Sequence, residues 1–354
     1  MDVARPLRTH LSGATPRRHR MSGLVSRLCG LLCAGLCAVV GSLSSTPAVG
    51  GYADAIYIGS GPAGGLGHRI ATDLCRLADG EGLKCIVWSL ANQEEMAVPF
   101  LAKRAVNFAL ISSRAQHRGY YCTDKHALCY EGLRSVFAVA ELPVQMLVPE
   151  RSPAREWGDL RGRRIGVGRT GATVLDDLDW LMSSGRGYFK RVEESSLEIR
   201  LAMLCDGDID AALFVGIAPA PAIDRAADRC GVRVVERMRD EKRLRFFLDE
   251  RKPYYSTMTI PSGTYRTTRR AVPTIGLSLT LVTTRNVANE LVYEFTRVMA
   301  KGLRDRQPGR LAFRPLDRES MVRTGLSAPI HLGVLRFYKE AGWMRFFRDK
   351  AWVK

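Results

Sequence analysis

Short apolar runs alternate along most of the chain with segments whose apolar positions recur every three or four residues. The first pattern suits strands buried on both faces, and the second suits helices with one buried face. AIYIG at 55–59 predicts a strand, GHRIATDLCRLAD at 67–79 a helix and KCIVWSL at 84–90 a second strand. QEEMAVPFLAKR at 93–104 follows as a helix and NFALIS at 107–112 as a third strand. After a turn at 157–162 a second series begins. RRIGVG at 163–168 reads as a strand, about 173–182 and 198–207 as helices, IDAALFVG at 209–216 as a strand, PAPAIDRAADRCG at 219–231 as a helix and VRVVE at 232–236 as a strand. The charged segment 237–252 carries Leu244, Phe247 and Leu248 at helical spacing and predicts a solvated helix. A helix is expected over 287–305, and a short helical region ends the chain.

This alternation predicts the α/β class with mainly parallel sheets. Two apolar runs, 134–150 and 272–285, are long enough to pass from one series to the other. They predict two α/β lobes joined by a two-stranded hinge, with 51–141 plus 276–354 forming one lobe and 142–275 the other. Ligands of open α/β sheets bind at the carboxyl ends of the strands, so the cleft between lobes is the place to look for a site.

The chain has 354 residues, 46% of them apolar, which allows roughly two domains and a real core. Its formal net charge is +17, but Lys and Arg are spread over the whole length with no zinc-finger spacing, RNA-binding aromatic signature or basic-region heptad. Nucleic acid is therefore not an expected partner, and the charge reads as the solubility of an Arg-rich composition, with attraction of an anion or a membrane surface as the other explanation.

Residues 1–27 hold six arginines against one acid, 28–41 read LCGLLCAGLCAVVG, and small residues follow. That order is an n-region, an h-region and a cleavage zone, and the apolar run falls short of the roughly 20 residues of a membrane span. Residues 1–50 are expected to be a signal peptide cleaved near Gly50, placing the mature protein in the periplasm; an uncleaved anchor is the alternative. Six cysteines remain after it, Cys75, Cys85, Cys122, Cys129, Cys205 and Cys230. An even count in an exported chain suggests disulfides, and pairing neighbours along the chain gives 75 with 85, 122 with 129 and 205 with 230. Buried free thiols are the alternative. None of the spacings is CxxC and the six histidines form no cluster, so no metal site is expected.

The stretch IYIGSGPAGGLGHRIATDL at 56–74 resembles the turn on which flavin and nicotinamide enzymes seat a pyrophosphate. Such a site needs an Asp or Glu at the end of the next strand to take the ribose hydroxyls. Here that strand ends Trp88-Ser89-Leu90, and Glu94 and Glu95 come later, inside the predicted helix. An oxidoreductase is set aside on this ground, and no cofactor is expected. A glycine turn opening a helix still brings backbone N–H groups to one point, where an anion can bind; a tight turn without a ligand is the other reading.

Six segments in fixed order carry a family resemblance: IGSGPAGG at 58–65, NFALISSR at 107–114, WGDLRGRRIGVGRTGAT at 157–173, IDAALFVGIAPAPAIDRAADRCGVRVV at 209–235, TIPSGTY at 259–265 with PTIGLSLTLVT at 273–283, and APIHLGVLRFYKEAGW at 328–343. Together they resemble the TAXI class of solute receptors of tripartite ATP-independent periplasmic (TRAP) transporters. The resemblance implies a type II periplasmic binding protein fold that closes on a small organic anion, such as glutamate, glutamine or a dicarboxylate, and delivers it to a membrane permease. Covalent catalysis is not expected. By the same resemblance Ser60, Gly61, Ala63, Gly64 and Gly65 form the first-lobe loop that holds a carboxylate, and Ser112 and Ser113 end the third strand. Arg114 stands where the family has Asp and suits a second carboxylate if it faces the cleft; an arginine turned to water is the other reading. Arg169, Thr170, Gly171 and Thr173 fall in the second-lobe cradle, with Arg169 as a two-pronged carboxylate contact, and Gly216 lies in the corner bordering the cleft. His331 is expected to be a structural hydrogen-bonding residue. A binding protein of this fold that senses rather than transports is the second reading.

Overall fold

The computed structural model describes residues 55–90, 97–123, 129–183, 187–304, 311, 313–314 and 316–346. The expected signal peptide and residues 93–96 of the helix predicted at 93–104 lie outside the described residues. β1 (Ile56–Ser60), β2 (Cys85–Ser89) and β3 (Phe108–Ser112) run parallel in the order β2-β1-β3. α1 (Leu66–Asp79) connects β1 to β2, and α2 (Ala97–Ala102) precedes β3. The spacing of Ile70, Leu74 and Leu77 gives α1 its buried face.

α3 (Ser113–Tyr121) follows β3 without a loop. Its sequence SRAQHRGYY has no apolar stripe, and what starts the helix is Ser112, whose hydroxyl accepts the Ala115 N–H at 3.2 Å. β4 (Leu133–Pro149) then leaves this lobe.

The second lobe repeats the plan. β5 (Arg164–Val167), β6 (Lys190–Glu193) and β7 (Ala211–Val215) are parallel in the order β6-β5-β7, with α4 (Arg169–Ser183) and α5 (Leu197–Asp206) as the connections. β6 reads KRVE and carries no apolar run, so the pattern along the chain does not reveal it. α6 (Pro221–Cys230) leads to β8 (Val232–Val235), which pairs antiparallel with β4. The segment expected as one solvated helix is instead α7 (Glu241–Phe246) continued by a wider turn over Phe247–Arg251, with Leu244 and Phe247 buried. The helix expected there thus forms over 241–251 and is mostly exposed, while Leu244 and Phe247 dock into the core. β9 (Ser256–Ile260) and β10 (Val272–Thr284) return to the first lobe, where α8 (Asn289–Arg304), α9 (Arg318–Arg323) and α10 (Leu332–Glu340) complete it. Phe295 of α8 stacks on Phe108 of β3 with ring centroids 4.5 Å apart.

The two long strands make the connection between lobes. Along β4, Leu133 to Pro143 pair with β10, whereas Val144 to Pro149 pair with β7 and β8. β10 pairs with β9 up to Gly276, and with β4 and β3 beyond it. A Cβ on Gly276 would stand 2.8 Å from the Leu142 carbonyl oxygen, so the crossing needs a residue without a side chain. The result is the two-lobed α/β fold of type II periplasmic binding proteins, each lobe with its first strand in the middle.

Cys75–Cys85 ties α1 to β2, Cys122–Cys129 closes the chain after α3, and Cys205–Cys230 joins the ends of α5 and α6. The six cysteines are paired as neighbours along the chain rather than left as thiols, which fits an exported protein. His331 caps α10: its Nδ1 accepts the Gly333 N–H at 3.1 Å and its Nε2 donates to the Val287 carbonyl at 3.1 Å. Burial lowers its pKa to about 4.

Two predictions follow from these contacts. Removing the Cys205–Cys230 link with the double Ser variant should cost about 3 kcal/mol for the 25-residue separation, measured by urea unfolding; unchanged stability would mean that the link does not constrain the unfolded chain. Because the His331 pKa falls on folding, the unfolded chain binds the extra proton between about pH 6.5 and 4, so the native state loses stability as pH drops through that window. His331→Asn keeps a capping acceptor and should flatten that part of the pH–stability curve; a curve of unchanged slope would exclude this origin.

Candidate functional site

In each lobe the first strand connects to one neighbour and the chain then crosses to the other, so the switch point lies between β1 and β3 in the first lobe and between β5 and β7 in the second. The segments that follow these four strands are those singled out from the sequence.

After β1 the loop turns at Pro62, whose carbonyl accepts the Gly65 N–H at 3.0 Å. Gly64 has φ +75°, a conformation that favours glycine, and both Ala63 and Gly64 are exposed. Gly65 precedes α1 and gives it no side-chain cap, and no acid stands in the first turn. The N–H groups at this helix start therefore keep their positive partial charge for an anion. Ser60 contributes less than its position suggests. It is buried, with its hydroxyl 3.2 Å from His68 Nδ1 and donating to the Gly61 carbonyl at 3.2 Å.

After β3 both serine hydroxyls serve the protein. Ser112 caps α3, and Ser113 donates to the Tyr254 carbonyl at 2.7 Å while accepting the Ser278 N–H at 3.1 Å. Arg114 points neither to water nor to an open cleft. Its Nε lies 3.2 Å from Asp177 Oδ2 of α4, so a first-lobe cation and a second-lobe carboxylate join the lobes.

Asp177 is the centre of this contact. Oδ2 also accepts from the Tyr254 and Tyr255 hydroxyls, each at 3.1 Å, and Oδ1 lies 2.8 Å from Lys252 Nζ. Burial opposes the charge of Arg114, but Asp177 and the tyrosines more than offset it, and the guanidinium pKa rises. Burial first, and then the Asp177 charge, push both tyrosine hydroxyls well above their ordinary range, so they stay protonated donors. The residue pattern did not identify Asp177. It sits on a helix face among apolar neighbours, and only its partners from distant parts of the chain give it meaning.

After β5 the predicted cradle is helical from Arg169 onward, four residues before the helix was expected. Arg169 is exposed. Thr173 returns its hydroxyl to the Thr170 carbonyl at 2.9 Å, and a Cβ on Gly171 would meet the Leu213 carbonyl oxygen at 3.5 Å, so this turn packs closely on β7. After β7, Gly216 is held by a buried pair that the sequence left unnoticed. Gln145 Nε2 donates to the Gly216 carbonyl at 3.0 Å, and its Oε1 accepts from Tyr265 at 2.5 Å. The Tyr265 oxygen in turn accepts the Ala220 N–H at 3.3 Å, so both sides of the corner containing the cis Ala218–Pro219 bond are fixed.

The arrangement thus offers two glycine-rich helix starts, one in each lobe, and a buried charged contact that holds the lobes together. Among the described residues no group of three or more His, Cys, Asp or Glu is placed to hold a metal ion, and no helix is long and apolar enough to cross a membrane.

Three solved structures are similar in backbone. A TctC solute binding protein from Polaromonas has 13% identity and a TM-score of 0.48, over 70% of this chain and 83% of that one. The periplasmic aliphatic sulphonate binding protein SsuA from Escherichia coli has 14% identity and a TM-score of 0.42, over 71% and 75%. The periplasmic VFT2 domain of Bordetella pertussis BvgS has 12% identity and a TM-score of 0.42, over 72% and 90%. The sequence itself matches the NMT1-like family over residues 58–342, most of its length, and the chain belongs to that family.

Proposed function

We propose that this protein is an exported solute receptor that captures a small organic anion by closing its two lobes and presents it to a TRAP permease, as a member of the TAXI class. The observation that carries the reading is the pair of long helices, α1 and α4, that begin at the two switch points with no acid in the first turn. Each can stabilise one negative group, and an anion reaching both prefers the closed arrangement by its extra contacts. In this reading 51–141 plus 276–354 move against 142–275 about the crossing of β4 and β10. Ser60 to Gly65 and Arg169 to Thr173 border the solute from opposite sides, while Ser112, Ser113, Arg114 and Gly216 shape the walls.

A sensing role is favoured by one observation. Arg114, which stands in place of the acid in the TAXI pattern, is spent on Asp177, so the contact between lobes differs from what that pattern implies. In either role the Arg114–Asp177 pair belongs to the closed form, and opening exposes both groups to water.

Thermal unfolding with L-glutamate, L-glutamine, 2-oxoglutarate and succinate tests the receptor reading. At least one should stabilise the protein, by about 2.7 kcal/mol at a hundredfold excess over Kd; silence from all four would contradict it. Asp177→Asn keeps the shape but leaves Arg114 and Lys252 without their counter-charge, and should cost about 3 kcal/mol in urea unfolding. A loss within about 0.5 kcal/mol of zero, the scale of neutral surface changes, would mean that the folded protein does not depend on this charge.

A further inference from the structure

Arg200 stands where a cation is costly. It lies in the first turn of α5, its N–H donating to the carbonyl of the capping residue Ser196 at 3.1 Å, so the helix dipole opposes its charge. The side chain is only 5% exposed. Among the described residues no carboxylate forms an ion pair with it. The Glu194 carboxylate accepts the Ser196 N–H at 2.8 Å, and that of Glu198 lies 3.7 Å from Arg225. Of the guanidinium nitrogens Nη1 is bonded, to the carbonyls of Glu194 and Ser195, whereas Nε is buried with no partner. Asp177 in the same lobe has two cations and two hydroxyls for its charge; for Arg200, burial outweighs the attraction of the more distant Glu194 and Glu198 carboxylates, and the guanidinium pKa falls. A desolvated guanidinium whose charge is only partly matched is destabilising unless something else completes the match.

Its position says what that is. The stem crosses Gly166, where a Cβ would stand 3.5 Å from Cδ. The head lies over Gly168, where a Cβ would stand 2.6 Å from Nη1 and 3.2 Å from both Cζ and Nη2. Gly168 is the residue before α4, and its carbonyl takes the first helical bond, from the Ala172 N–H at 2.7 Å. The N–H groups of Arg169, Thr170 and Gly171 precede that bond and lie outside the helix's own ladder. A buried cation and the positive end of a 15-residue helix therefore meet at the carboxyl end of β5 with no acid in the helix's first turn.

We propose that Arg200 and the first turn of α4 form the oxyanion subsite of the second lobe and take the carboxylate of the solute; the proposal rests on the receptor reading above. With Nη1 spent on the backbone, the Nε–Nη2 edge remains for a two-pronged carboxylate bond. Gly168 is the space that this guanidinium occupies, and Arg169, the cation suggested by the motif, is an exposed rim residue.

Calorimetric titration with L-glutamate, 2-oxoglutarate, succinate and inorganic phosphate, on wild type and variants, decides the matter. Wild type should bind at least one carboxylate, and Arg200→Met should weaken it on the order of 100-fold while the melting temperature without ligand holds or rises, since an incompletely matched buried charge has been removed. Arg200→Lys keeps the charge without the fork and should bind about tenfold more weakly than wild type. Arg151→Met, at an exposed arginine of the turn after β4, should stay within about threefold, as expected of an exposed charge.

Wild-type affinity in Arg200→Met, or in Arg200→Lys should the Met variant not fold, overturns the subsite and leaves the receptor reading standing. So does a fall in unliganded stability with affinity unchanged, which would make Arg200 a structural brace. Binding of phosphate alone overturns the carboxylate assignment. Wild type binding none of the probes overturns the subsite and the receptor reading together.

Discussion

The Asp177 carboxylate is buried where the lobes meet, and a charge in that place must be matched on all sides. Two cations and two tyrosine hydroxyls match it, one cation from α3 of the first lobe and the rest from the chain between α7 and β9. Such a cluster adds little net stability over an apolar contact of the same shape, because desolvation takes back most of the attraction. It does set the relation between the lobes, since separating them strips the carboxylate of Arg114, its first-lobe cation. In the closure proposed above, water would replace that partner when the lobes part, and the contact would be reversible in a way that a continuous apolar core is not.

The rest of the architecture serves this contact. β4 and β10 are each shared between the lobes, and they cross where Gly276 lets the strand backbones come close. Small changes along two strands can rotate one lobe on the other while the ladders on either side stay intact. At the same time the switch points put one helix start from each lobe at the carboxyl edge of its sheet. The buried Gln145–Tyr265 pair fixes the corner beside the second of these, so that corner is held by the core.

Much of this was legible in the sequence. Apolar runs marked the buried strands, the two longest runs marked the strands that cross between lobes, and the glycine turn at 59–65 marked the start of α1. β6 was not, because an edge strand reading KRVE has no apolar signal, and α3 was not, because a cap rather than a stripe begins it. The charged segment at 237–252 looked like a surface helix, and only tertiary packing buries Leu244 and Phe247. At the candidate site, the turns could be found from their glycines, but the charged side chains that pack beside them could not. Ser112, Ser113 and Arg114 were visible as a motif, yet their partners Tyr254, Ser278 and Asp177 lie in distant parts of the chain. Arg200 looks like any polar position of a helix until its burial over Gly168 is seen.

If the lobes close on a bound anion with Arg114 and Asp177 as their charged contact, their separation depends on both the anion and the Asp177 charge. Electron–electron double resonance between nitroxides on Arg225→Cys in α6 and Arg297→Cys in α8 measures the separation of the lobes directly. The account predicts one narrow distance with a stabilising carboxylate bound, and a longer, broader distribution in ligand-free Asp177→Asn. Identical distributions in the liganded protein and in ligand-free Asp177→Asn would contradict it.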